Sequence, residues 1–347
     1  MVVARPLLWA SFALVPATVV ARYVFDADAT TLFVLSALAL IPLAWLIGES
    51  TEHAAEHTGP GVGGFLNASF GNAPELIIAL FAIADGLPNV VRGSLAGSVV
   101  SNILLVLGET MIAGGDGVLD TRSLRLQLLA VIGAVLLLLI PSIAGWHGNP
   151  ERHSQFVLTI PVAFVLLLVY ALVTAANLRY HRLAPRTAPD VSAWPFRRSL
   201  AILGAATAAT AVVSETLVHS LTRFGHAVGL NQFFIAIVIV AIVGNAAEHG
   251  GAIVIAKGGN MRLATEIAIT SSMQVAVFVV PAVALLSWLV GPALPLSFRF
   301  VEIATMGAAA AGAVIVVADG RSRRWEGFLL IGVYVLAVLW YGLAGNR

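Results

Sequence analysis

Gly71-Asn72-Ala73-Pro74-Glu75 and Gly244-Asn245-Ala246-Ala247-Glu248 stand 173 residues apart in the chain. Polar positions downstream keep that offset: Ser98 maps to Ser271, and Ser101 maps to Gln274. A repeat at fixed spacing constrains a fold more than any single motif does. Working outward, the surroundings of both copies are apolar. Of 347 residues, 59% are hydrophobic and 11% charged, with a mean hydropathy of +0.95. A soluble chain of this length carries about twice that charge fraction. A water-soluble globule, a disordered tail and a nucleic-acid binder are therefore excluded. The net charge of +1 offers no basic face for a polyanion. Cysteine is absent, so no disulfide, thiolate metal site or thiol nucleophile is available.

An apolar run of about 20 residues crosses a bilayer as a helix. Eleven such runs follow one another: 7–25, 31–48, 62–84, 88–112, 124–145, 154–176, 199–221, 231–256, 263–289, 298–318 and 326–344. Their breaks carry Gly, Pro or charge, as at Gly59-Pro60-Gly61 and Gly148-Asn149-Pro150. They do not alternate with period two, as barrel strands would. The reading is an all-α polytopic membrane protein of about 11 transmembrane helices. A leading helix (1–30) precedes a first five-helix repeat (31–176), a basic linker (177–198) and a second five-helix repeat (199–347). Five is odd, so the second unit enters the membrane from the opposite side and the copies are inverted. Inverted repeats with a site at the midplane are the architecture of many secondary transporters. With the N-terminus cytoplasmic, 13 Lys and Arg fall on the cytoplasmic side and 6 on the other. That bias predicts a multi-pass protein with its N-terminus inside and its C-terminus outside, and the Arg-over-Lys, Ala-rich composition points to the inner (plasma) membrane of a bacterium.

Glu75 is the only charge in its run, and Glu248 is the only acid in its own. An ionised carboxylate at that depth costs at least about 2.5–3.5 kcal/mol unless it faces a cavity or a partner. The bland alternative, a protonated glutamate hydrogen-bonded inside the bundle, suits one isolated acid better than a repeated pair. Gly71 and Gly244 come one turn earlier, where a helix can loosen and free carbonyl oxygens. Pro74 removes a backbone donor and releases a carbonyl about one turn before it. Asn72 and Asn245 each precede their acid by three residues, on the same helical face. Ser98, Ser101 and Asn102 share one face, and Ser271 and Gln274 another, with Ser272 beside them. The alternative for these serines is small-residue helix packing. An inventory of oxygen and amide donors suits a hard cation such as Ca2+. His249 follows Glu248 and reads as a proton-handling or hydrogen-bonding neighbour. Two carboxylates held close repel each other, and burial adds to the penalty. Ca2+ relieves both effects, and so do protons. Competition for one site plus alternating access suffices for cation/proton antiport.

These residues resemble the calcium/proton exchanger family of the cation/calcium exchanger superfamily. The likeness runs from Gly48 through Gly108 and from Gly244 to Pro281. It implies Ca2+ liganded by Glu75 and Glu248, with support from Ser98, Ser101, Asn102, Ser271, Ser272 and Gln274. It also implies export of cytosolic Ca2+ driven by proton influx, Ca2+ being transported substrate rather than cofactor. Many members carry Thr where this chain has Pro74, and an acidic stretch where 177–198 is basic. Other cation preferences in the same superfamily, Na+/Ca2+ or Mn2+/H+ exchange, are the alternative.

His53-Ala54-Ala55-Glu56-His57 matches the H-x-x-E-H pattern and competes as a membrane zinc metalloprotease using His53, Glu56 and His57. No third ligand is evident in the sequence. Glu49, Glu52 and Glu56 share a helix end and read as an acidic cation mouth or gate, against the alternative of a solvated helix end. Glu109, Glu215, Glu266 and Glu302 also lie in or near the runs. No nucleotide-binding loop is present, so transport is expected to be secondary, with Ca2+, H+ and lipid as partners, no nucleic acid or nucleotide, and a possible homo-oligomer.

Overall fold

The computed structural model describes residues 9–146, 153–181 and 194–345, without the side chains of 59–69, 153–155 and 177–181. Most of the expected basic linker lies outside these residues. Twelve helices are described: α1 Leu14–Tyr23, α2 Ala29–Gly71, α3 Ala73–Ala84, α4 Pro88–Gly114, α5 Thr121–Trp146 and α6 His153–His181 in the first part. The second part holds α7 Phe196–Val228, α8 Gln232–Gly244, α9 Ala246–Lys257, α10 Met261–Val290, α11 Phe300–Asp319 and α12 Arg324–Ala344. Asp28 caps α2 by accepting from the amides of Thr30 and Thr31. Those bonds and the Thr31 hydroxyl hold its carboxyl below the ordinary range. One two-stranded antiparallel pair, Gly117–Val118 with Arg321–Ser322, ties the loop after α4 to the loop before α12.

Among the described residues, eight helices are long and apolar enough to cross a bilayer, and α8 with α9 forms a further span bent by 50°. At 12 residues α3 is about 18 Å long, roughly half of a bilayer core, so it too is part of a broken span. Among the described residues, each of the eleven apolar runs lies largely on helix, two of them broken at Asn72 and Asn245. One expected break differs: helical hydrogen bonding continues through Gly59-Pro60-Gly61. The chain nevertheless reverses within α2. Phe70 packs on the cluster of Ile47, Leu203 and Ala206, whereas a straight helix would hold residues 47 and 70 about 34 Å apart.

The repeat is visible element by element. α3 and α9 are both 12 residues long, and each begins immediately after an asparagine, Asn72 or Asn245. π-helical turns occur at Asn102–Val106 and Val275–Val279, again 173 residues apart. Gly86 and Gly259, which share that offset, both take the left-handed conformation that closes the turn after the half-helix. α2 and α7, the first helices of the two units, lie antiparallel. Phe33 stacks on Phe224 near one end, and His57 meets the Trp194 carbonyl at the other. Inversion requires that geometry. The pseudo-two-fold axis passes close to Ser272, whose hydroxyl donates to the Val99 carbonyl at 2.9 Å. Val99 and Ser272 are 173 residues apart, so this residue touches its own counterpart.

Close packing holds the halves together at the axis. A Cβ on Gly97 of α4 would stand 2.0 Å from the Ile237 carbonyl oxygen of α8. Only glycine permits that approach, the device by which membrane helices bring backbones together.

Candidate cation site

Both acids sit in the first turn of a half-helix, Glu75 in α3 and Glu248 in α9. The partial positive charge of a helix N-terminus favours an anion there. Breaks at Asn72 (φ −97°, ψ 18°) and Asn245 (φ −87°, ψ 13°) create these termini. The sequence placed the loosening at Gly71 and Gly244, with Pro74 releasing a further carbonyl; the breaks fall one residue beyond these glycines, and the second forms with Ala247 in the place of Pro74. Pro74 sits at the start of α3, where the missing amide would have had no partner anyway. The asparagines also do not line one face with their acids. Each reaches across to the opposite half. Asn72 Nδ2 donates to Gln274 Oε1 at 2.9 Å, and Asn245 Nδ2 donates to Ser101 Oγ at 3.1 Å. The two bonds are counterparts under the repeat, since Ser101 maps to Gln274.

Further bonds knit the same layer. Asn102 Nδ2 donates to Asn245 Oδ1 and to Ser271 Oγ, both at 3.1 Å. Ser101, Asn102, Asn245 and Ser272 are fully buried, and Ser98 and Ser271 nearly so. Gly71 closes α2 and Gly244 closes α8. The Glu75 carboxyl packs against Gly244, and a Cβ there would meet Glu75 Oε1 at 3.5 Å. Glu75 thus crosses into the second half one turn ahead of Glu248.

Glu75 is 6% exposed, and neither of its carboxyl oxygens has a hydrogen-bond partner. Buried acceptors in folded proteins are almost always satisfied, so these two oxygens stand out as candidate ligand atoms. The acid lines a small pocket together with Ile78, Ser94, Leu95, Ser98, Val240 and Gly244. Ser94 escaped the sequence reading, although it precedes Ser98 by one helical turn. Glu248 is half-buried, with Oε2 also lacking a partner. Beside it, His249 Nδ1 lies 2.8 Å from Glu109 Oε2, a pairing across 140 residues that no local pattern announces. Among the described residues no three acid or imidazole groups converge on one point. The site offers two carboxylates and a shell of neutral oxygens and amides, a set that suits a hard divalent cation or protons.

The remaining acids lie elsewhere. Glu52 and Glu56 are exposed and Glu49 is half-buried, all on α2 near the start of α7. Glu49 stands 3.6 Å from His53. His53 stacks on Trp194, and His57 Nε2 meets the Trp194 carbonyl at 2.8 Å, so both imidazoles are engaged by aromatic and backbone groups. Glu215 pairs with Arg22 at 2.8 Å, and Glu302 accepts from the Arg299 amide at the start of α11.

The family model described as sodium/calcium exchanger protein matches residues 29–179 and 198–342, one block on each repeat. The chain belongs to that family. Within this exchanger family it is 35% identical to the Ca(2+)/H(+) antiporter ChaA of Bacillus subtilis, over 90% of this chain and 92% of that one. It is 32% identical to the Ca(2+)/H(+) antiporter of Aphanothece halophytica, covering 89% of each. It is also 36% identical to vacuolar cation/proton exchanger 1a of Oryza sativa subsp. japonica, over 94% of this chain and 77% of that one. The solved structure of native YfkE superposes with a TM-score of 0.84 at 32% identity, covering 97% of this chain and 99% of that one. The H+/Ca2+ exchanger CAX shares the fold, with a TM-score of 0.73 at 15% identity over 98% of this chain and 92% of that one.

Proposed function

We propose that this exchanger is a secondary antiporter, not an enzyme, that moves Ca2+ against protons by alternating access. The single observation that carries the reading is the unpartnered Glu75 carboxyl, packed across the repeat boundary one turn ahead of Glu248. Two carboxylates in a water-poor layer are poorly left empty and charged. Either a divalent cation or protons relieve them, so the two substrates compete for one site. Lowering the pH fills the acids with protons and weakens Ca2+ binding; raising it does the reverse. Ser98, Ser101, Asn102, Ser271, Ser272 and Gln274 support the site, and the Asn72 and Asn245 bonds hold the two breaks in register.

The positive-inside count supports a plasma-membrane orientation with the N-terminus and the basic linker in the cytoplasm. Proton influx then drives Ca2+ export, and two site acids suit two protons for each Ca2+. The acidic end of α2, Glu49, Glu52 and Glu56, would concentrate cations at the cytoplasmic mouth. The test is uptake of radiolabelled Ca2+ into proteoliposomes against an imposed pH gradient, with and without Na+. Uptake that collapses with the pH gradient and ignores Na+ is expected. Uptake driven by Na+ at fixed pH would transfer the chain to Na+/Ca2+ exchange, and Mn2+ outcompeting Ca2+ would transfer it to Mn2+/H+ exchange.

A further inference from the structure

α10 carries Arg262, Glu266, Thr270 and Gln274 at successive four-residue steps, which stacks them along one face. Between Ala264 and Gln274 the residues left accessible are Glu266, Thr270 and Gln274, together with Ile267; the rest are buried. A carboxylate, a hydroxyl and an amide in a row at membrane depth face water or protein, not lipid. Beside them α5 runs parallel. Arg262 pairs with Asp120 at one level, and Thr270 Oγ donates to Gln127 Oε1 at 2.6 Å two turns further on. Gln127 in turn donates to Ser123 Oγ at 3.0 Å.

These bonds set the polarity of the face. The one proton of Thr270 is committed to Gln127, so its lone pairs are left to accept. Gln274 Oε1 already accepts from Asn72, beside the break that leads to Glu75. The face therefore presents a carboxylate, a hydroxyl oxygen and an amide oxygen, with steps of about 6 Å along the helix. All three are ligand atoms for a hard cation. A proton wire fits less well, because neutral amides such as Gln127 and Gln274 do not pass protons along.

We propose that this face is the path of the divalent cation between the Arg262 end of α10 and the site, with Glu266 as its transit ligand and Gln127 as the residue that orients Thr270. The proposal rests on reading Glu75 and Glu248 as the cation site. Because the chain has no cysteine, the path can be probed in the full-length protein with single cysteines. In proteoliposomes, Thr270→Cys should react with a membrane-impermeant cationic thiosulfonate about tenfold faster than Ala268→Cys, which lies on the buried face. Adding Glu266→Gln should remove the preference for the cationic over the anionic reagent. A Thr270→Cys variant that reacts only with a lipid-soluble maleimide, or a charge preference unchanged by Glu266→Gln, would overturn the path. This readout needs no exchange activity, so it fails separately from the assignment of Glu75 and Glu248. In exchange assays Glu266→Gln should raise the half-saturating Ca2+ concentration about tenfold with little change at saturation. Glu266→Asp should restore it, and a half-saturation equal to the parent in both variants would remove Glu266 from the path.

Discussion

α4 and α10 occupy equivalent places in the two repeats, yet their corresponding faces do opposite things. Asn89, Gly93, Gly97 and Ser101 on α4 are the counterparts of Arg262, Glu266, Thr270 and Gln274 on α10. On α4 the glycine pair closes against α8, with Gly93 touching Ala236 and Phe233 and Gly97 touching the Ile237 carbonyl. The apolar stretch of α4 is 94% buried, against 56% for that of α10. The same helix in the same topology is a closed seam in one half and a partly accessible polar face in the other. Duplication fixes the site at the axis. Divergence at four positions leaves one of these faces packed and the other partly accessible.

Exchanging the counterpart residues tests the comparison most severely. Gly97→Thr brings in the residue found at the equivalent place on α10, but its Cβ would collide with the Ile237 carbonyl. Overpacking of this kind costs about 1–3 kcal/mol or more, so loss of monodisperse, active protein in size-exclusion and exchange assays is expected. The reverse change, Thr270→Gly, costs about 1 kcal/mol as a mid-helix glycine and leaves a folded exchanger with weakened Ca2+ uptake. If both variants behaved alike, the distinction between seam and path would be lost.

A smaller effect is expected at Glu109. It fixes His249 beside Glu248, and the first half has no such pair, since the counterparts are Ala282 and Leu76. Glu109→Gln should lower apparent Ca2+ affinity about tenfold, as loss of a residue that orients a ligand's neighbour does. Binding isotherms at fixed pH would show it, and an unchanged isotherm would make the pair purely structural. Smallest of all, Ser272→Ala removes one bond to Val99 at the axis. Such bonds in membranes average about 0.6 kcal/mol, so only a slight drop in thermal midpoint is expected. A loss of several kcal/mol would show that the axis contact holds the halves together far more strongly than one hydrogen bond can.

The repeat, the two acids and the inverted helical architecture could be read from residues alone, because spacing and hydropathy are local properties. Asn72 and Asn245 were found for the same reason, but their role was not. Their partners lie in the other half, and helical periodicity pointed them toward their own acids instead. Pro74 drew attention because proline breaks helices, whereas the break belongs to the asparagine on either side of the repeat. The π-helical turns, the Glu109–His249 pair and the thread of bonds from Gln127 through Thr270 had no sequence signal. Each depends on which helices the fold sets side by side. Glu266 was visible as a charge in an apolar run, but only the burial pattern of α10 gives it a direction.

The central claim is that one Ca2+ is shared by Glu75 and Glu248, and titration calorimetry of the purified protein tests it most directly. The parent should bind one Ca2+ per chain with release of protons, and either Glu75→Gln or Glu248→Gln alone should abolish that binding. Two independent sites, or a single-acid variant that keeps the parental affinity, would contradict it.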